Sequence, residues 1–422
     1  MQKLSGKNLL LVGFTLFSMF FGAGNLIFPP HLGAQAGSHL WAAFAGLAVS
    51  AIGLPIAGVV AVARAGGLEP LARRVHPAFA FVFTILVYLS IGPCLAIPRT
   101  ASTSFAMLAP LVGSSPRLQL GYSFLFFTAA FLVALHPEKL TDRLGRILCP
   151  CLILLICILF AGCLLHPPAA HYGAPSDLYA SLPAVQGILY GYQTMDTLAS
   201  LNFGAVIALN IRARGIAQES AVEQGAVRAG FLAGALLLAV YAMLGHAGAL
   251  TGAAVPGLST GADVLTALAG NLFGQAGLVL IAAIFVIACF NTCVGLIACV
   301  GQYFHSLLPR IPYPVLAAFF AGVSILVSNL GLAAIIGLST PVLNALYPIA
   351  IVLILLSYLP GLENRPRIYP LCIFLTALQS IAAALPLGPL SVLANALPFA
   401  EVGFGWVLPA AAGLLLDFLI DR

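Results

Sequence analysis

The sequence predicts an all-α membrane protein of twelve transmembrane helices, arranged as a five-plus-five inverted repeat in which helices 1 and 6 are broken. Three observations predict this fold. Of 422 residues, 61% are hydrophobic and only 7% charged, against about 25% charged in an ordinary soluble domain. Such a chain lacks the polar coat of a soluble enzyme or a nucleic-acid binder, and it is too apolar to be disordered. Apolar runs of roughly 20 residues recur from end to end, each able to cross a ~30 Å hydrocarbon core as a helix. Finally, two of these runs, five apart in order, carry glycines and polar residues at their centres.

In chain order the predicted spans are 8 to 35, 40 to 63, 78 to 108, 119 to 136, 144 to 165, 183 to 210, 225 to 248, 273 to 305, 313 to 329, 335 to 358, 368 to 386 and 400 to 419. The runs are continuously apolar and do not alternate, which excludes a membrane β-barrel. The start of the chain also resembles a signal peptide, with Lys3 and Lys7 before an apolar stretch and Ala34-Gln35-Ala36 as a cleavage site. The apolar run from Leu9 to Phe28 exceeds the ~7 to 15 residues of a signal core, so we expect it to be retained as span 1.

Basic residues check this order independently, because short cytoplasmic loops concentrate Lys and Arg. With the N-terminus inside, Lys3, Lys7, Arg64, Arg73, Arg74, Lys139, Arg143, Arg146, Arg212, Arg214, Arg228, Arg310, Arg365, Arg367 and Arg422 fall at the cytoplasmic side. Only Arg117 lies outside, and Arg99 sits within a span. The net charge of +5 therefore reads as a topology signal and not as an anionic partner.

The nine cysteines fall mostly inside apolar runs, where they read as small hydrophobes. Cys149-Pro-Cys151 and the Cys289/Cys293 pair have spacings that metals use, but no His, Asp or Glu nearby in sequence completes a site. We expect no metal-thiolate centre.

In span 1, Gly22 and Gly24 flank Ala23 mid-segment and Asn25 follows. Two glycines weaken a helix by about 1 kcal/mol each relative to Ala, so the helix can unwind there; a small-residue packing face is the alternative. Span 6 concentrates Gly187, Gly191, Tyr192, Gln193, Thr194, Met195, Asp196, Thr197, Ser200 and Asn202 in an apolar segment. An Asp at that depth costs about 2.5 to 3.5 kcal/mol on insertion scales, so it faces a cavity or a partner; an ion pair with Arg99 is the structural alternative. Because five is odd, a repeat relating spans 1 to 5 and 6 to 10 must be inverted. Paired glycine-interrupted segments of this kind point to a binding site at the repeat interface. Half-helix N-termini there suit a carboxylate, and freed carbonyls suit a small cation. A zwitterionic amino acid presents both signs.

The run Phe20-Phe21-Gly22-Ala23-Gly24-Asn25-Leu26-Ile27-Phe28-Pro29-Pro30, followed by Leu32-Gly33 and Ala36-Gly37, resembles the N-terminal signature of the bacterial branched-chain amino acid:cation symporter family. Ile91-Gly92-Pro93, Pro98-Arg99-Thr100 and Gly191-Tyr192-Gln193-Thr194-Met195-Asp196 add to the resemblance, as does the twelve-span layout over the whole chain. The family is similar in architecture to the amino acid-polyamine-organocation superfamily. The resemblance implies that the substrate carboxylate meets the amides of Gly22, Ala23 and Gly24, and that the amino group meets carbonyls around Tyr192, Gln193 and Thr194. Asn25 and Asp196 are counted with this substrate site. It also implies a cation between the carbonyls of Ser18, Phe21 and Ala288 and the side chains of Asn291 and Thr292. The usual pattern has two neighbouring hydroxyls where this chain has Asn291 and Thr292, so the ion stays open between Na⁺ and H⁺. Interhelical hydrogen bonding is the alternative role for this pair.

The expected function is secondary active uptake of leucine, isoleucine and valine with Na⁺ or H⁺ by alternating access, with Phe21 and apolar residues of spans 3 and 8 around the substrate side chain. A carrier for another small zwitterion, proton-coupled through Asp196, is the alternative. An intramembrane enzyme would need a catalytic pair, and Asp196 is the one acid in the middle of a core span; no pore-loop repeat supports a channel. His31, His39 and His246 read as polar residues at helix ends, and Glu219, Glu223 and Arg228 as a solvated helix face. The expected setting is the bacterial inner membrane, both termini cytoplasmic, with lipid and a small-molecule substrate as partners and no cofactor, nucleic acid or obligatory protein partner. The chain reads as one domain with repeats at about 8–165 and 183–358 and extra helices at about 368–419.

Overall fold

Proline and glycine punctuate the apolar runs and set where many of the helices begin and end. The computed structural model describes residues 4–362 and 365–420; Lys3 and Arg422 of the charge argument lie outside the described residues. The helices are α1 (Gly6–Phe20), α2 (Ala23–Ala36), α3 (Leu40–Ala48), α4 (Leu54–Ala65), α5 (Leu68–Arg73), α6 (Pro77–Leu89), α7 (Ala96–Val112), α8 (Pro116–Ala134), α9 (Cys149–Leu165), α10 (Asp177–Ser181), α11 (Pro183–Tyr192), α12 (Asp196–Arg212), α13 (Glu219–Ala254), α14 (Gly261–Phe273), α15 (Gln275–Leu307), α16 (Tyr313–Ser328), α17 (Leu332–Leu356), α18 (Ile368–Ala384), α19 (Pro389–Asn395) and α20 (Val407–Ile420). Prolines at the first position open α6, α8, α11 and α19, where the missing N–H costs nothing.

Among the described residues, seven helical stretches are long and apolar enough to cross a membrane, and two bent pairs bring the number to nine. The shorter apolar helices α1, α16 and α20 complete the set of twelve. One of the seven stretches, Ala23–Ala65, is divided by Gly37, whose φ of +48° ends α2. It supplies the second half of span 1 and all of span 2. Spans 1 and 6 are broken mid-segment, span 11 bends by 110° between α18 and α19, and the fold is the five-plus-five inverted repeat followed by two further spans.

Several boundaries differ from expectation for one reason: hydropathy finds the apolar part of a helix, not its polar extensions. α13 runs from Glu219 to Ala254 rather than 225 to 248. A helix not anticipated from sequence, α14, fills the following loop, capped by Thr260, which accepts from the Asp263 N–H at 3.2 Å. The last helix starts at Val407 rather than 400. His31 and His246 lie inside α2 and α13 rather than at their ends, facing the hydroxyls of Tyr190 (2.5 Å) and Tyr172 (2.7 Å).

The loops segregate into two sets. Arg214 pairs with Asp142 at 3.1 Å and Arg212 with Glu219 at 2.8 Å, while Arg74 donates to the Tyr369 hydroxyl at 3.1 Å. The other set ties the end of α2 to residues 166–182: Ser38 N–H donates to Gly173 O at 2.9 Å, and Ser176 N–H to Gln35 O at 2.8 Å. Between them, α2 packs on α13, α11 on α3, and α15 on α7. The α3–α11 crossing is backbone to backbone, because a Cβ at Gly46 would strike the Ala184 carbonyl and one at Gly187 the Ala43 carbonyl. Close approach of this kind is what small residues provide between helices in lipid.

Candidate substrate and cation site

Span 1 breaks where its side chains vanish. α1 ends at Phe20; Phe21 (φ −74°, ψ 82°) and Gly22 (φ −116°, ψ −154°) leave the helix, and α2 restarts at Ala23. The Gly22 N–H donates to Asn25 Oδ1 at 3.1 Å, so this amide, expected to meet a carboxylate, is occupied by its own cap. The N–H groups of Ala23 and Gly24 have no acceptor among the described residues, as the first turn of a helix leaves them. Both glycines serve close approach: a Cβ at Gly22 would lie 2.6 Å from Thr292 Oγ1, and one at Gly24 2.7 Å from Arg99 Nη2.

Span 6 breaks without a glycine at the break. α11 ends at Tyr192, the chain passes through Gln193 and Thr194, and Met195 takes the left-handed conformation at φ +70° before α12 starts at Asp196 with a 47° bend. A left-handed non-glycine residue costs roughly 1–2 kcal/mol, which the surrounding packing must offset. Gly187 and Gly191 lie before the break and serve packing instead, Gly191 against Ser50.

The two breaks meet directly. Asn25 Nδ2 donates to Asp196 Oδ2 at 2.5 Å, the Tyr241 hydroxyl of α13 donates to the same oxygen at 3.3 Å, and Asn25 also bonds that hydroxyl. Asp196 stands at the N-terminus of α12, where the helix dipole favours an anion. The alternative ion pair with Arg99 is not formed: no carboxylate lies within 4 Å of Arg99 among the described residues. Arg99 instead donates through both Nη atoms to Gln193 O, each at 3.3 Å, at the C-terminal end of α11 where a cation is favoured.

A cavity of about 30 Å³ lies between the breaks, room for one or two waters, so a bound amino acid has to widen it. Its polar wall is Gly22 to Asn25, Arg99, Thr194, Asp196 and Thr292, and its apolar wall includes Met19, Phe20, Ile91, Phe203 and Leu296. Phe21 points elsewhere, stacked on Phe17 at 5.1 Å, and Phe20 takes the place expected for it. Tyr192 and Gln193 face a second, larger cavity of about 350 Å³ that Tyr347, Asn344, Gln379 and Trp406 also line. The Tyr192 carbonyl already accepts from Met195 N–H at 3.2 Å and that of Gln193 from Arg99. Thr194 is thus the expected carbonyl left open.

Three of the residues expected around a cation, Ser18, Asn291 and Thr292, come together. Thr292 Oγ1 donates to Ser18 O at 3.4 Å, and Asn291 Nδ2 to Ser18 Oγ at 3.4 Å. Asn291 Oδ1 is buried with no hydrogen-bond partner among the described residues, a cost of about 1–3 kcal/mol unless a donor or cation meets it. Ala288 is buried one helical turn before Thr292 on the same helix. Oxygen ligands of this kind suit a hard cation. Sequence reasoning missed Tyr241; its only signal was a hydroxyl in the apolar run of span 7.

Residues 5–422 match the family model described as "Branched-chain amino acid transport protein". The branched-chain amino acid permease BraB of Bacillus subtilis is 38% identical over 427 residues, 98% of this chain and 95% of its own. The branched-chain amino acid transport system 2 carrier protein of Pseudomonas aeruginosa is 40% identical over 434 residues, 100% of this chain and 98% of its own. Among solved structures, MhsT in complex with L-phenylalanine superposes with a TM-score of 0.58 at 15% identity, covering 99% of both chains. Mhp1, a nucleobase-cation-symport-1 family transporter, has the same TM-score at 13% identity, covering 97% of this chain and 91% of its own. At such identities the structural likeness shows the fold alone.

Proposed function

Because the chain belongs to the branched-chain amino acid transport protein family, we propose that it takes up leucine, isoleucine and valine by symport with Na⁺ or H⁺. The observation that carries this reading is the cavity where the two breaks meet. One wall offers the open amides of α2 and the Asp196 carboxylate, which suit the two ends of a zwitterion; the other is hydrocarbon. The substrate carboxylate sits at Ala23 and Gly24, its ammonium near Asp196 and the Thr194 carbonyl, and its side chain against Phe20, Ile91, Phe203 and Leu296. Burial at ~0.8 kcal/mol per CH₂ favours leucine over alanine by about 2 kcal/mol.

The coupling ion sits among Ser18, the Phe21 and Ala288 carbonyls, Asn291 and Thr292. Its order in the cycle follows from position: it links α1 to α15 beside the break, so it orders the unwound stretch and raises amino acid affinity, a reciprocal coupling of typically about 1–3 kcal/mol. Transport is rocking of one bundle around this site, within repeats at about 8–165 and 183–358, with 368–419 outside them. The chain sits in a bacterial inner membrane with both termini in the cytoplasm, and it needs no cofactor or protein partner.

The burial of Asp196 beside Asn25 and Tyr241 favours, as the second reading, proton coupling through this carboxylate. Uptake into proteoliposomes with an imposed Na⁺ or H⁺ gradient tests both. Leucine should accumulate above equilibrium with one of the two gradients and collapse when that gradient is dissipated. Accumulation that ignores both gradients refutes symport, and uptake of alanine equal to that of leucine refutes the branched-chain assignment.

A further inference from the structure

One charge in the central cavity has no role in the cycle as described. Arg99 is 7% exposed, yet no carboxylate lies within 4 Å of it among the described residues. A guanidinium carries five N–H donors, and the bonds it makes here both go to one carbonyl, Gln193 O. A buried cation with no carboxylate hydrogen-bonded to it is costly, and Asp196 acts on Arg99 only through space. The acid in the same cavity, Asp196, is engaged by Asn25 and Tyr241. Arg99 Nη2 also stands beside the N-terminus of α2, 2.7 Å from where a Gly24 Cβ would be, next to the two open amides.

We propose that Arg99 binds the carboxylate of the transported amino acid, completing with the amides of Ala23 and Gly24 a subsite that selects α-amino acids over their uncharged derivatives. The planar fork suits a carboxylate better than an ammonium would. Because the same guanidinium holds Gln193 O, the bound carboxylate is tied through Arg99 to the residue that ends α11, and Gln193 lines the larger cavity with Leu189 and Tyr192 of α11. Substrate arrival thereby fixes the outer half of span 6. The inference rests on the amino acid uptake proposed above.

The test is binding of L-leucine and of L-leucinamide to the purified full-length protein at pH 6, where both ligands carry the ammonium and differ at the carboxyl end alone. The wild type should prefer leucine by about ten- to a hundredfold, the range of a charge-assisted hydrogen bond. Arg99→Gln should lower that ratio severalfold by weakening leucine and sparing leucinamide, the amides of Ala23 and Gly24 keeping the remainder. Equal loss for both ligands would assign Arg99 a purely structural role and overturn the proposal. If Arg99→Gln does not fold, Arg99→Lys serves: a ratio between one and the wild-type value supports the proposal, and an unchanged ratio overturns it. A wild type that binds none of leucine, isoleucine and valine overturns the uptake reading, and the inference falls with it, a result distinct from an unchanged ratio.

Discussion

Asn25 is a neutral residue that works three ways. It accepts the Gly22 amide and donates toward both Asp196 and Tyr241, so its amide joins a helix cap to a buried carboxylate. Removing one or the other of the two donors to Asp196, Asn25 and Tyr241, has a different cost. Tyr241→Phe withdraws one donor from Asp196 and should destabilise by about 1–3 kcal/mol. Asn25→Ala should cost more, since it strips Asp196 of its shortest bond and uncaps Gly22 as well. Thermal melting of the two purified variants checks the order, and a Tyr241→Phe variant melting below Asn25→Ala would break this account. The residue scale is also where reading from sequence ran out. Asp196 and Asn25 were visible because polar groups are conspicuous in an apolar run. Tyr241 was not, because tyrosine is unremarkable in lipid-facing helices. Phe20 and Phe21 exchanged places because at a break the helical phase is lost, and the side to which a neighbour turns cannot be counted from periodicity.

At the scale of elements, glycines divide into those that make room for a neighbour and those with nothing near them. Gly187 belongs to the first group, its absent Cβ matched to the Ala43 carbonyl across the α3–α11 crossing; Gly121, with nothing within 4 Å, belongs to the second. Gly187→Ala must push two backbones apart and should lower stability by 1–3 kcal/mol, about the cost of overpacking. Gly121→Ala should be neutral or stabilise by up to about 1 kcal/mol, the helix-propensity difference. Equal melting temperatures for the two variants would contradict the crossing. The span 1 break was legible in Gly22 and Gly24, although they serve the approach of Thr292 and Arg99 more than unusual backbone angles. The span 6 break was placed from its polar cluster, but its pivot at Met195 was hidden, since no composition rule expects a left-handed methionine. α14 was legible in principle: Thr260 and Asp263 form a capping pair three residues apart, overlooked because the segment was read as loop.

For the whole molecule, the charge pattern and the contacts agree. Loops rich in Arg touch one another, as Arg214 does Asp142, and loops poor in Arg touch one another, as Ser38 does Gly173. The twelve-span order was therefore recoverable from hydropathy plus Lys and Arg positions alone, because each span had a separate apolar run and each basic loop an independent vote on sidedness. A membrane-impermeant thiol reagent checks it in a variant lacking the nine native cysteines. Arg117→Cys should react on intact cells and Arg310→Cys only after permeabilisation; the opposite result would invert the topology.

The contact between Asn25 and Asp196 joins residues 171 positions apart, each at the start of a half-helix. Two fractures linked this way cannot open separately while the link holds. A carrier whose cut ends are fastened to each other has, in effect, a single latch, and in the symport we propose, cargo and ion that grip either end draw on the same movement. Leakage of one without the other then requires that fastening to fail first.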